Sequence, residues 1–214
     1  MERCAILADS SAPLIPPLAA LLRSRGLSCL ELAGMGEADP ASPDTLRWNP
    51  PSLLSAHTAI LEANTRYGGL SAGVLAFDAD AFAANVAYEG VVDASAAVNT
   101  LVTGWIFLAE SVFEALAKQG SGFLCFVHAA PPAKAENASL KPLPLPVAIA
   151  ESAFLRLAEE SARRHGERSL LVRYETGADD AQLEWLASRI LEGPPSRATN
   201  RWHKAGSRGL FGIL

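Results

Sequence analysis

His128 and Glu151 are the residues of this chain whose types best suit proton transfer, since a histidine beside a glutamate can serve as a base. Lys134 and Glu136 fall between them, in a stretch that also reads as an ordinary solvated loop. Two further residue types could hold a ligand rather than react with it. The Ser10 and Ser11 hydroxyls could replace backbone amides around a phosphate, or simply cap the helix that follows. Asn99 could belong to a site or hydrogen-bond a backbone group near a helix start. The sequence has no Gly-x-Ser-x-Gly elbow, no histidine pair at metal spacing and no glycine-rich phosphate loop. Hydrolysis through an activated serine, zinc chemistry and P-loop phosphoryl transfer therefore have no motif to rest on. His57 has no partner in the pattern and reads as a structural or surface histidine.

These residues must be positioned by alternating strands and helices. Arg3 to Ala8 is an apolar run of strand length, Leu14 to Arg25 a helix pattern closed by Gly26, and Leu27 to Leu32 the next strand. Thr45 to Trp48 reads as a short strand, Asn49-Pro50-Pro51-Ser52 as a helix entrance, and Leu53 to Tyr67 as an amphipathic helix ending at Gly68-Gly69. Leu70 to Phe77 is a strand, and Asp78 to Asp93 reads as irregular. Then come a helix (Val98 to Lys118), a strand (Phe123 to His128), a Pro-rich loop, a helix (Val147 to Arg164) and a strand (Ser169 to Tyr174) ending at Thr176-Gly177. The expected fold is an α/β, three-layer, Rossmann-like domain, with a mostly parallel sheet and helices on both faces. It spans residues 1–193, and residues 194–214 form a basic, then apolar, C-terminal tail.

In such a sheet the first strand–helix turn usually takes the phosphates of a dinucleotide, and only glycine lets the backbone come close enough. Here it reads Ala8-Asp9-Ser10-Ser11-Ala12-Pro13-Leu14. It has no glycine, Asp9 puts a negative charge where a phosphate would lie, and Pro13, Pro16 and Pro17 remove backbone donors. The expectation is that no dinucleotide binds in the usual way and that the protein carries no cofactor.

Half of the residues are hydrophobic, 19% are charged and the formal net charge is -5, which suits a soluble protein without attraction for nucleic acid. Cys4, Cys29 and Cys125 lie in apolar strand-like runs without a Cys-x-x-Cys pair, so they read as buried, reduced thiols. The N-terminal apolar run is broken by Asp9 and the prolines, which fits neither a signal peptide nor a membrane span, and a cytoplasmic location is the expectation. On that basis the sequon Asn137-Ala138-Ser139 is not expected to be glycosylated.

Across Arg3 to Ile190 the order and spacing of the elements resemble the short-chain dehydrogenase/reductase family, most closely from Val98-Asn99 through Gly177 and with support from Ser52 to Phe77. The resemblance implies a Rossmann-type sheet and, in active members, oxidoreduction with an Asn, a Ser and a Tyr-x-x-x-Lys pair. The position matching the Asn keeps Asn99. The Ser position is Ala129, preceded by His128, and the Tyr and Lys positions are Val147 and Glu151. The segment that in the family usually reads Asn-Asn-Ala-Gly is Leu75-Ala76-Phe77-Asp78, and a helix beginning at Asp179 leaves no room for a substrate cover. Against that pattern the proton donor is gone, since valine has none to give, and Glu151 puts a negative charge where the ammonium belongs. Loss of one such acid typically costs a factor of about 10² to 10⁴ in rate.

The expectation is therefore a non-catalytic, structural or regulatory subunit that self-associates or pairs with an active relative of the resembling family. The alternative is a small-molecule binder or atypical oxidoreductase using the same cleft, around Ser10, Ser11, Asn99, His128 and Glu151. The resemblance implies that the helices Val98 to Lys118 and Val147 to Arg164 pair with their copies, and both are apolar beyond one stripe. Glu159–Arg163 and Glu160–Arg164 stand at salt-bridge spacing on the second. In the tail, Arg197, Arg201, Lys204 and Arg208 precede Leu210-Phe211-Gly212-Ile213-Leu214, an apolar end expected to form a last edge strand or an intersubunit contact.

Overall fold

Long apolar runs, rather than alternating ones, mark strands covered on both faces. In the computed structural model they form one parallel sheet of seven strands in the order β3-β2-β1-β4-β5-β6-β7. The structure describes residues 4–34, 42–85, 91–131, 142–177, 180–193 and 201–206. In chain order the elements are β1 (Cys4–Ala8), α1 (Ile15–Ser24), β2 (Ser28–Ala33), β3 (Thr45–Arg47), α2 (Leu53–Tyr67), β4 (Leu70–Asp78), α3 (Ala79–Asn85) and α4 (Val91–Val98). After a π turn at Asn99–Thr103 they continue as α5 (Gly104–Gln119), β5 (Phe123–Ala130), α6 (Leu145–His165), β6 (Ser169–Glu175), α7 (Asp180–Glu192) and β7 (His203–Lys204).

The sheet divides the core in two. On one face α2, α5 and α6 cover Ile6, Leu75, Phe77 and Phe126. On the other, α1 and α7 cover Leu7, Val74, Cys125 and Val172. The expected three-layer α/β fold is therefore the observed one. Phe154 is the aromatic centre of the first face, 5.3 Å from Phe77, 5.6 Å from Trp105 and 5.9 Å from Phe126 between ring centroids. All three cysteines are free and buried, and burial pushes the Cys4 and Cys29 thiols up to about 12.

Helix boundaries follow local chemistry where a side chain supplies it. Ser52 Oγ accepts from Ser55 N at 3.2 Å and starts α2, and Gly68, at φ 76°, ends it in the left-handed conformation that glycine adopts freely. His57 is exposed on this helix.

The chain departs from the sequence expectation in four places. Asp78 to Asp93 is not irregular but contains α3 and α4, because Asp78 Oδ1 accepts from Ala81 N at 2.9 Å and opens a helix in the alanine-rich stretch behind it. The next helix does not begin at Val98: α4 runs into the π turn and on to Gln119, with Gly104 N donating to Asn99 O. Ser10 and Ser11 do not cap α1, whose N-cap is Leu14 without a side-chain bond. On α6 the expected spacing is not the one used: Arg156 pairs with Glu160 at 3.0 Å and with Glu159 at 3.6 Å, and Glu160 also pairs with Arg163 at 3.1 Å, while the other oxygen of Glu159 accepts from Trp202.

Among the described residues the last edge strand is β7, earlier in the tail than the apolar end. Lys134, Glu136, the sequon at Asn137, Asp179, Arg197, Arg208 and Leu210–Leu214 lie outside the described residues. The run Ala94–Gln119 is long and apolar enough to cross a membrane, yet half of its most apolar stretch is buried inside this molecule.

Candidate functional site

In an open parallel sheet, ligands sit beyond the carboxyl ends of the strands, where the strand order reverses. Here the reversal lies between β1 and β4. The β1–α1 turn there is organised by Asp9, whose Oδ1 accepts from Ser11 N at 2.9 Å, while Ser10 N donates to Leu32 O at 2.9 Å. Asp9 thus holds the turn that in a dinucleotide site would be left to phosphate. Next to it opens a cavity of about 350 Å³ whose wall includes Pro13, Leu14, Pro17, Asp78, Ala129 and Tyr174. Asp80 also borders it, and no lysine or arginine among the described residues does. Burial pushes the Asp78 carboxyl above the usual carboxylate range, against the pull of the Ala81 and Asp80 backbone hydrogen bonds. A largely apolar wall with two acids and no cation does not favour a pyrophosphate.

On the opposite face of the sheet lies the acid–base pair. Side chains alternate along a strand, so Phe126 and His128 face α6 while Val127 and Ala129 face away from it. One turn and a half into α6, Glu151 reaches back to the strand, and His128 Nε2 lies 2.7 Å from Glu151 Oε1. His128 is 6% exposed, and its Nδ1 is buried without a hydrogen-bond partner among the described residues. When the ring is neutral, a carboxylate accepting from Nε2–H leaves the lone pair on Nδ1, the atom that could take a proton.

The remaining expected residues do not join this pair. Ser10 and Ser11 sit at the end of β1, two strands from β5. Asn99 is exposed on the π turn, inside a longer helix and not at a helix start. Ala129 lies on the far face from His128, against the cavity. Val147 is fully buried on the first turns of α6, part of the core rather than of a cleft. Three residues that sequence reading did not single out complete the surroundings. Arg173 stands opposite His128 in the β5–β6 register, Trp202 meets the imidazole edge to face at 6.2 Å between centroids, and Asp78 lines the cavity. Only Asp78 left a sequence signal, as an acid between a strand and an alanine-rich run. Trp202 is brought in by tertiary folding from a part of the chain far from His128.

No protein-family model matches the chain. A protein of Treponema pallidum (strain Nichols), itself uncharacterized, is 28% identical over 203 residues, covering 91% of this chain and 89% of its own length. Among solved structures the chain resembles levodione reductase, with a TM-score of 0.59 and 14% identity over 96% of this chain and 86% of that one. It also resembles ligand-free aldohexose dehydrogenase from Thermoplasma acidophilum, with a TM-score of 0.59 and 9% identity. That match covers 81% of this chain, and the chain spans 65% of the dehydrogenase's length. A short-chain type dehydrogenase/reductase from Mycobacterium marinum aligns with a TM-score of 0.56 and 12% identity over 81% of this chain and 73% of that one. At such identities the likeness is one of fold, and the fold is the Rossmann-like α/β architecture of short-chain dehydrogenases/reductases.

Proposed function

We propose that this protein is a non-catalytic subunit with a short-chain dehydrogenase/reductase-type fold, which associates with a second copy or an active relative through α5 and α6. The observation that carries this reading is a groove of about 380 Å³ between the two helices, floored by Leu101, Val102 and Leu157 and edged by Ile106. Ile106 and Ile149 are 40% and 48% exposed on neighbouring helices. Glu110, Glu160, Arg156 and Arg164 also line the groove, so two copies facing each other can match acid to base. The support is narrower than the apolar content of the helices suggests, because Leu108, Val112, Phe113 and Leu116 are spent on the chain's own core. A stable interface of this kind buries on the order of 1,200 to 2,000 Å².

The non-catalytic part of the reading rests on chemistry. Val147 stands buried where the resemblance puts a phenol, Glu151 is engaged by His128, and the cleft beside the strand ends offers acids where a cofactor's phosphates need donors. Sedimentation at low micromolar concentration tests association. A dimer or larger species is expected for the protein alone or mixed with an active relative from the same source, and a monomer under both conditions removes the reading.

The His128–Glu151 contact favours a second reading, a binder or atypical oxidoreductase that uses the same region with different residues. Saturable binding of NAD(H) or NADP(H) at micromolar concentration in a calorimetric titration would favour it over the first.

A further inference from the structure

Neither association through α5 and α6 nor the His128–Glu151 pair uses the cavity at the carboxyl ends of the strands. Pro13 and Leu14 line it just after β1, Asp78 ends β4 there, and Ala129 and Tyr174 stand near the ends of β5 and β6. Its volume of about 350 Å³ is that of a small-molecule pocket, and the strand-order reversal is the place where open parallel sheets hold ligands. The charge in its wall is the unusual part. Asp78 is 4% exposed, so its carboxylate is taken out of water. Backbone N–H groups of Asp80 and Ala81 donate to it, but no lysine or arginine lines the cavity among the described residues. Asp80, exposed two residues further on, adds a second carboxylate instead of a counter-charge. Capping α3 does not require this arrangement, since serine or asparagine accepts the same hydrogen bond without burying a charge.

We propose that this cavity binds a small organic cation, a protonated amine carried on an apolar body, with Asp78 as its counter-charge and Asp80 as a second acid at the rim. An anion is repelled by both carboxylates. A neutral apolar molecule strips the remaining water from Asp78 and returns no hydrogen bond. A bare divalent cation needs more oxygen ligands than two acids supply, one of them already held by Ala81 N. An ammonium group brings three donors and the missing positive charge, while its apolar body covers Pro13, Leu14 and Ala129 and meets the Tyr174 ring, whose face also attracts a cation. The site is independent of association through α5 and α6, because none of its lining residues belongs to the groove there.

Benzylamine, benzyl alcohol and benzoate share a ring and differ in charge, so titrating each into the full chain at neutral pH, followed by amide NMR shifts, separates charge from apolar fit. Benzylamine should bind saturably and about tenfold or more tightly than benzyl alcohol, as for a charge-assisted contact, and benzoate should not bind. The shifts should concentrate on the amides of Asp80, Ala81, Thr176 and Gly177, which border the cavity. Ammonium chloride, which has the charge without the body, should leave these amides unmoved. Asp78→Asn keeps an oxygen for Ala81 N and should weaken benzylamine by about tenfold or more while leaving benzyl alcohol unchanged. Asp80→Asn, at an exposed position that the fold does not depend on, should weaken it by a smaller factor. Absence of saturable benzylamine binding, equal binding of all three probes, shifts confined to other parts of the chain, or undiminished affinity in both variants overturns the proposal.

Discussion

Val147 and Asp78 are the two positions at which single side chains say most about what this protein does. Val147 is fully buried on the inner face of α6, so a tyrosine there has to displace core atoms and hide a hydroxyl. Overpacking of that kind costs about 1–3 kcal/mol. The double variant Val147→Tyr, Glu151→Lys, which restores the residue types of the resembling family, is expected to lose that much stability in urea titration. It should gain no nicotinamide-dependent turnover, because it also breaks the His128 bond and leaves the glycine-free turn unchanged. A steady cofactor-dependent rate in this variant would contradict the non-catalytic reading. Asp78 is 4% exposed, and burial raises its carboxyl pKa in the folded state above the unfolded value. The folded state then holds more protons than the unfolded one between those two values, so the stability contributed by Asp78 falls as pH rises through that window. Asp78→Asn keeps a helix-capping oxygen for Ala81 N and removes the buried charge. It should therefore be more stable than wild type at neutral pH, with the gap closing as pH falls below the window. An equal gap at both ends of the pH range would mean that the charge is not the cause.

Among the elements, the α4–α5 helix shows a local rule giving way to packing. A glycine inside a helix ordinarily costs about 0.5–1 kcal/mol relative to alanine, so Gly104→Ala would be expected to stabilise. A Cβ at Gly104, however, would stand 2.5 Å from Pro50 Cβ and 3.0 Å from Pro50 Cα, because α5 crosses the entrance of α2 at that point. The clash reverses the sign, and Gly104→Ala should lower the denaturant midpoint by an amount corresponding to about 1–3 kcal/mol. A raised midpoint would show that the α2 entrance can move aside. The π turn at Asn99–Thr103 adjoins the same crossing. Asn99 is exposed at the start of this turn.

For the whole molecule, the sheet leaves α2, α5 and α6 together on one side and α1 and α7 on the other, so the outward apolar residues of α5 and α6 form a single surface. If that surface binds a second copy, association and stability are linked by mass action, and the melting temperature should rise with protein concentration. Ile106→Glu puts a charge at the edge of the groove and should abolish that rise together with the sedimenting dimer, while the monomer keeps its fold because Ile106 is already 40% exposed. A melting temperature that depends on concentration equally in the wild type and in this variant would move the interface elsewhere.

How much of this was legible beforehand follows from the range of the forces involved. Strand and helix order, the three layers, the helix entrance at Asn49–Ser52, the buried cysteines and the poverty of the phosphate turn were all readable, because hydrophobic period, proline, glycine and capping chemistry act within a few residues. The neighbourhood of His128 and Glu151 could be guessed, because a helix that packs back on its own strand brings their ends together, but their direct contact could not. The interval from Asp78 to Asp93 was misread, since its helices depend on one capping carboxylate and on packing against α6. The ion pairs of α6 were misassigned because Arg156, one turn earlier, takes both Glu159 and Glu160, and spacing alone offers an acid bases on either side without saying which it meets. The same limit kept the Trp202–His128 contact, the Gly104–Pro50 contact and the division of α5 and α6 into inward and outward apolar faces out of reach. These are contacts between segments distant in sequence, and only the twist and order of the completed sheet decide which of them meet.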